Sequence, residues 1–243
     1  MTKKTWYYKE GSKKAELWTI LHLPYTFMAI SFLTVGFSIR KPINYEVMGA
    51  TALAYFLGLG IAAHSLDQLP GMGSRYVKYL SVRELLTLSI ISLAGAIAIG
   101  IYYMLKLQAW HLLWLIPLQT FFAIAYPVAK LFRGFFHNDF WFSVSFGAIP
   151  VLIGYYMNNL AFSLVIIPFA VLCALISAIE ITLSRYARKL RRELSDRKLW
   201  LGRDFLVVPP EPEYAYQVLV LKPERALKLL CAMSYTLAIS MLL

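Results

Sequence analysis

The sequence predicts an all-α integral membrane protein with about seven transmembrane helices. Three observations carry that reading. Hydrophobic residues fill 59% of the 243 positions and charged residues only 15%, far from the soluble average. Seven apolar stretches approach the roughly 20 residues a helix needs to cross a hydrocarbon core about 30 Å thick. Finally, the 24 Lys and Arg outnumber the 13 Asp and Glu and gather in segments that flank those stretches.

The stretches cover 17–39, 45–65, 85–105, 110–128, 140–157, 162–183 and 226–243. Aromatic residues mark several of their ends, among them Trp18, Tyr25, Trp110, Trp141 and Tyr156, as suits rings that prefer the headgroup layer. The tail and the second, fourth and sixth loops carry Lys13, Lys14, Arg75, Lys78, Arg83, Lys130, Arg133 and a basic run from Arg185 to Arg203. The opposite loops carry only Arg40, Lys41 and Lys106. Lys and Arg are retained in the cytoplasm, so the expected location is the cell membrane, with the N-terminus cytoplasmic. The chain reads as one membrane domain: a basic tail 1–16, a six-helix core 17–183, a basic cytoplasmic segment 184–225 and a last helix 226–243. The tail has five lysines but no apolar core or cleavage site, unlike a signal peptide.

A net charge of +11 suggests nucleic acid in a soluble protein, but no basic or aromatic-basic platform stands clear of the spans here. The charge instead suits anionic lipid or an anionic ligand. Cys173 and Cys231 both lie inside apolar runs, so neither a disulfide framework nor a metal site is expected from them. No glycine-rich phosphate loop, haem-attachment pair or zinc spacing occurs, and His22, His111 and His137 are scattered along the chain. Pro117, Pro127, Pro150 and Pro168 are expected to kink or end helices.

Ionisable residues inside spans mark function or pairing. His22, His64, Asp67 and Glu180 are the exceptions. Three loops on the predicted cytoplasmic face hold the polar residues: HSLDQLPGMGSR from His64, YPVAKLFRGFFHND from Tyr126 and SRYARKLRRE from Ser184. Helix six is expected to continue past the membrane as the basic RYARKLRRELSDRK, and VVPPEPEYAY, rich in proline, is expected to be a loop.

These loop positions, with YPVAKLFR and the following FSVSFGAIPVLIGYY, resemble the UbiA superfamily of intramembrane prenyltransferases over roughly residues 17–203. The resemblance implies a UbiA-like helical bundle whose second and sixth helices are each followed by an Asp-rich motif holding magnesium on an isoprenoid diphosphate. The first motif, Asn-Asp-x-x-Asp-x-x-x-Asp, falls here on Ala63, His64, Asp67 and Gly71, so one carboxylate remains. The second falls on a region carrying Arg185, Arg188, Lys189, Arg191 and Arg192, where the charge is inverted. The family has about nine helices, against seven counted here. Magnesium takes oxygen ligands and keeps one or two carboxylates beside the substrate phosphates, so the paired sites cannot form in their usual way.

The expected function is therefore binding of an isoprenoid (di)phosphate or another anionic membrane lipid, without magnesium-dependent prenyl transfer and without a metal. Arg75, Tyr126, Lys130, Arg133, Arg185 and Arg188 are the expected head-group ligands, since Arg and Lys can hold phosphate directly. His64 and Asp67 lie three apart on one helical face, are expected to hydrogen-bond at the cavity mouth, and are the candidate catalytic pair. An active prenyltransferase with a divergent site, for which magnesium would be the cofactor, and a structural subunit with a membrane-protein partner are the alternatives.

Overall fold

Pro24 sets the shape of the first crossing. Proline inside a helix removes a donor and clashes with the preceding turn, and the chain breaks just before it. The computed structural model describes residues 7–9, 11–72, 77–195 and 217–243. In it α1 (Lys13–Ile20) and α2 (Leu23–Ser38) are separated at His22, which takes a left-handed φ of 42°. Thr26 Oγ1 donates to Leu21 O at 2.7 Å, satisfying a carbonyl at the break. The predicted first span is therefore two helices end to end.

The second crossing is α3 (Tyr45–Tyr55), a π turn over Phe56–Ala63, and α4 (His64–Asp67). Its start is capped by Asn44, whose side chain accepts from Val47 N. A Ser81–Glu84 capping box opens α5 (Val82–Leu107), and α6 (Leu112–Ala125) follows with Pro117 inside it. The fifth crossing joins α7 (Asp139–Phe142), a second π turn (Ser143–Ala148) and α8 (Ile149–Asn159), which has Pro150 in its first turn. α9 (Ile166–Ser195) is continuous for 30 residues, about 45 Å at 1.5 Å per residue, and so outruns a hydrocarbon core of about 30 Å. A π turn at Gln217–Leu221 leads into α10 (Lys222–Leu242). Helix accounts for 79% of the structure and no strand occurs among the described residues, which settles the all-α class.

Six of these runs are long and apolar enough to cross a membrane: Lys13–Ser38, Tyr45–Asp67, Val82–Leu107, Asp139–Asn159, Ile166–Arg191 and Leu219–Leu242. The predicted span at 110–128 contracts to the 14 residues of α6, about 21 Å, because the chain turns at Tyr126–Pro127. The expected continuation of helix six holds as far as Ser195, while the proline-rich 207–216 lies outside the described residues.

α2 and α8 form the centre. They touch backbone to backbone because a Cβ at Gly36 would collide with Val151 O, and one at Gly154 with Leu33 O. Such reciprocal small-residue contacts drive helix association where lipid supplies no hydrophobic force. α10 packs on α2 and α9, with Tyr235 Oη donating to Pro24 O at 2.6 Å. At one end of the bundle Asn158 holds the loop after α2 through Asn44 N at 3.0 Å and Arg40 O at 2.9 Å, and Lys41 Nζ donates to Met241 O at 3.2 Å. At the other end the buried Glu16 carboxylate accepts from the amides of Lys78, Tyr79 and Leu80, and Arg191 pairs with Glu224. The second end gathers α1, α4, α7 and the outer part of α9, and the polar site lies there.

Candidate functional site

The break before α2, the π turn before α4 and the turn after α6 all deliver side chains to one place. A cavity of about 80 Å³ is lined by Tyr7, His22, Tyr25, Ala63, His64, Asp67, Tyr126, Pro127, His137, Phe142, Phe146, Glu180, Ile181, Ser184, Arg185 and Arg188. That is room for several waters or a small polar head, since a single water needs about 10–15 Å³ on the same measure. Both π turns border it, the first at its end, Ala63, and the second at Phe146 within it, and such extra-wide turns are frequent at functional sites.

One wall is aromatic. The His22 ring lies 4.4 Å from that of His64, 5.3 Å from Tyr7 and 5.6 Å from Tyr8, the last stacked. Tyr25 Oη meets Ser184 Oγ at 3.4 Å across the cavity. On the opposite wall the Tyr126 ring stacks on His137 at 5.0 Å, and His137 Nδ1 donates to Tyr126 O at 2.7 Å. His64 Nδ1 likewise faces Gly60 O at 3.2 Å. A carbonyl only accepts, so both imidazoles carry the proton on Nδ1 and present Nε2 as the second ring nitrogen.

The charged residues come from three elements. Asp67 closes α4 and accepts from Gln68 Nε2 at 3.3 Å. Glu180 on α9 is 2% exposed. Arg188, two turns further along α9, lies within Coulombic reach of Asp67, Glu180 and His22. Arg185 Nη1 is 2.8 Å from Asp139 Oδ1, and its Nη2 reaches Tyr126 Oη at 3.5 Å. That ion pair is 38% and 45% exposed at its two side chains, so it contributes well under about 1 kcal/mol and Arg185 can exchange partners cheaply.

Of the residues singled out from sequence, His64, Asp67, Tyr126, Arg185 and Arg188 converge on this cavity. Lys130 and Arg133 lie on the loop after α6 but are exposed and do not line it. Lys130 instead reaches toward the loop after α4, where a Cβ at Gly71 would sit 2.6 Å from its Nζ. Arg75 lies outside the described residues. The expected His64–Asp67 hydrogen bond is replaced: the π turn rotates His64 onto Gly60 O, and Asp67 takes Gln68.

Sequence reasoning marked His22 as an ionisable residue inside a span but judged it and His137 too scattered to form one site, yet both line the cavity, and only His111 lies at the far end, beside Tyr156. A helix break at Pro24 and a loop folded under α6 bring them in, which spacing along the chain does not reveal. Asp139 was also missed; its position as the first residue of α7 was the available signal. Among the described residues no three His, Cys, Asp or Glu side chains are grouped to hold a metal. No protein-family model, curated protein or solved structure matches the chain.

Proposed function

We propose that the protein binds an isoprenoid or other anionic lipid through its head group, without magnesium-dependent prenyl transfer. One observation carries this reading: two guanidiniums three residues apart on α9, Arg185 and Arg188, face a cavity whose floor is the apolar Ala63, Phe142, Phe146 and Ile181. A phosphate on Arg185 would displace the weak Asp139 contact and gain a bidentate, charge-assisted pair with Tyr126 Oη alongside. The aromatic and apolar walls continue into the bundle and suit the first carbons of a lipid tail.

The test is the lipid that copurifies. Mass analysis of an extract of the purified protein is expected to show a phosphate-bearing lipid that is lost in Arg185→Glu/Arg188→Glu. Exposed basic residues elsewhere, Arg83→Glu with Lys14→Glu, should leave it in place, whereas attraction to a membrane surface counts only summed charge and would be weakened equally by both double variants. Equal loss from both double variants would reduce the arginines to a surface patch.

A second reading has its own support. Asp67 and Glu180, from the two elements that carry Asp-rich motifs in the UbiA superfamily, line the same cavity. Those two carboxylates are the residues that would hold magnesium if the protein is a divergent prenyltransferase, with the ion supplying charge neutralisation at the diphosphate.

A further inference from the structure

A second cavity, of about 100 Å³, lies within the helical layer away from the arginines, between α3 with its π turn, α5 and α6, with Ile153 and Met157 of α8 behind it. No Asp, Glu, Lys, Arg or His is among its described lining residues. Ala54, Leu59, Leu93, Ile97 and Ile116 are among the apolar residues of its wall. Five polar side chains interrupt it: Thr51 and Tyr103 donate elsewhere, to Val47 O and to Glu46, Thr120 is half-buried, and two others are buried without partners. Tyr55 is 6% exposed and its Oη has no hydrogen-bond partner; the amide nitrogen and oxygen of Gln119 are both buried and equally without partners. Tyr55 is the eleventh residue of a 23-residue span, and Gln119 sits in the middle of the 14-residue α6. At that depth no bulk water is at hand, and an orphaned polar group is expensive.

We propose that this cavity binds a neutral amphiphile, a hydroxyl on an aliphatic chain. The orphaned set is one acceptor, Gln119 Oε1, and two donor groups, Gln119 Nε2 and Tyr55 Oη. A hydroxyl has the complementary inventory, one O–H to donate and two lone pairs. A ketone or ester carbonyl would leave Oε1 unpaired. A carboxylate would do the same and find no cation. The volume excludes a fused-ring alcohol: a cavity of about 150 Å³ is filled by one benzene, so only the hydroxyl and the first few carbons fit. The rest of the chain must leave sideways. Ile97, Gly100, Ile116 and Thr120 are only half-buried between α5 and α6, and α6 is too short to close the whole height of the bilayer.

The experiment is photolabelling of the purified protein in micelles with a diazirine-bearing decanol. Saturable labelling should map to α3, α5 or α6, and 1-decanol should compete at a concentration at least tenfold lower than decane or decanoate. Gln119→Leu keeps the volume and removes the amide, and is expected to cut labelling about tenfold, while Ala54→Phe fills the space and should abolish it. Size-exclusion profiles identify any variant that fails to fold, and the competition series on the unmutated protein stands without them. Equal competition by decane and decanol, labelling that survives Ala54→Phe in a folded protein, or no saturable labelling at all, as expected if water alone fills the space, would each overturn the assignment.

Discussion

Glu16 is the residue whose removal should most loosen the end of the bundle that holds the arginine cavity. It is 4% exposed, and its two carboxylate oxygens accept from three consecutive amides, those of Lys78, Tyr79 and Leu80, the last two at 2.8 and 2.9 Å. The clamp ties the start of the first crossing to the loop that opens α5. In Glu16→Ala the buried Leu80 amide loses its carboxylate acceptor, a loss of about 1–3 kcal/mol. The other two amides are partly buried and recover part of their loss from water, adding about 1 kcal/mol between them. The sum is about 3 kcal/mol, which for a chain of this size lowers the thermal midpoint by roughly 6–12 °C. Glu16→Gln keeps one accepting oxygen and should lose about half as much. Lys13 provides the control, since it meets Glu84 at 2.6 Å across the same junction but both side chains are well exposed, and Lys13→Ala should shift the midpoint by no more than a degree or two. Unfolding of the purified protein in detergent, followed by intrinsic fluorescence, reads all three. A Glu16→Ala shift no larger than that of Lys13→Ala would refute the argument that burial, not charge, sets the value of this clamp.

Arg191 and Glu224 form an ion pair that is only 12% and 7% exposed and fastens α10 to α9. Arg191→Ala strands a buried carboxylate and should cost about 3–5 kcal/mol, whereas Arg191→Met with Glu224→Leu should restore most of the loss, as thermal midpoints will show. Millimolar magnesium is expected to leave the midpoint unchanged beyond a nonspecific salt effect; a saturable rise lost in Asp67→Asn would instead favour the transferase reading. Topology is tested by cysteine labelling with a membrane-impermeant reagent on a background whose two native cysteines are buried. A cysteine at Lys14 should react only from the cytoplasm and one at Leu164, 86% exposed, only from outside. The same sidedness for both would overturn the seven-crossing arrangement.

What the sequence made legible was whatever composition and periodicity control. Apolar length placed the crossings to within a few residues, and loop charge grouped the tail with the second, fourth and sixth loops. The structure draws the described parts of these together at one end: Glu16 with the second loop, and Arg185 with Asp139. The breaks inside helices were legible at most as prolines, not as consequences. Pro24 was not among the prolines expected to break a helix, and nothing in the sequence shows that His22 would take a left-handed φ and turn its ring onto His64. The π turns at Phe56–Ala63 and Ser143–Ala148 left no periodic trace at all, and they decide which way His64 and Phe146 face. Small residues are common in such spans, so nothing in the sequence sets Gly36 apart, and the facing Val151 carbonyl shows that this one is required.

The two arginines of the cavity do not have equivalent surroundings, and this shapes the proposed head-group site. Arg188 lies within Coulombic reach of Asp67 and Glu180. Among the described residues Arg185 pairs with Asp139, across an exposed contact of little worth, and has Tyr126 Oη beside it. An incoming phosphate therefore gains most at Arg185, near the mouth, while Arg188 offsets the inner carboxylates that would otherwise repel it. Asp67 and Glu180 in turn limit how much negative charge the cavity accepts. One phosphate balances the cationic side; a second would face a carboxylate in a poorly hydrated space, where repulsion is weakly screened. A diphosphate would need a cation beside Asp67 and Glu180, so the number of phosphates on the bound lipid and the presence of a metal are one question.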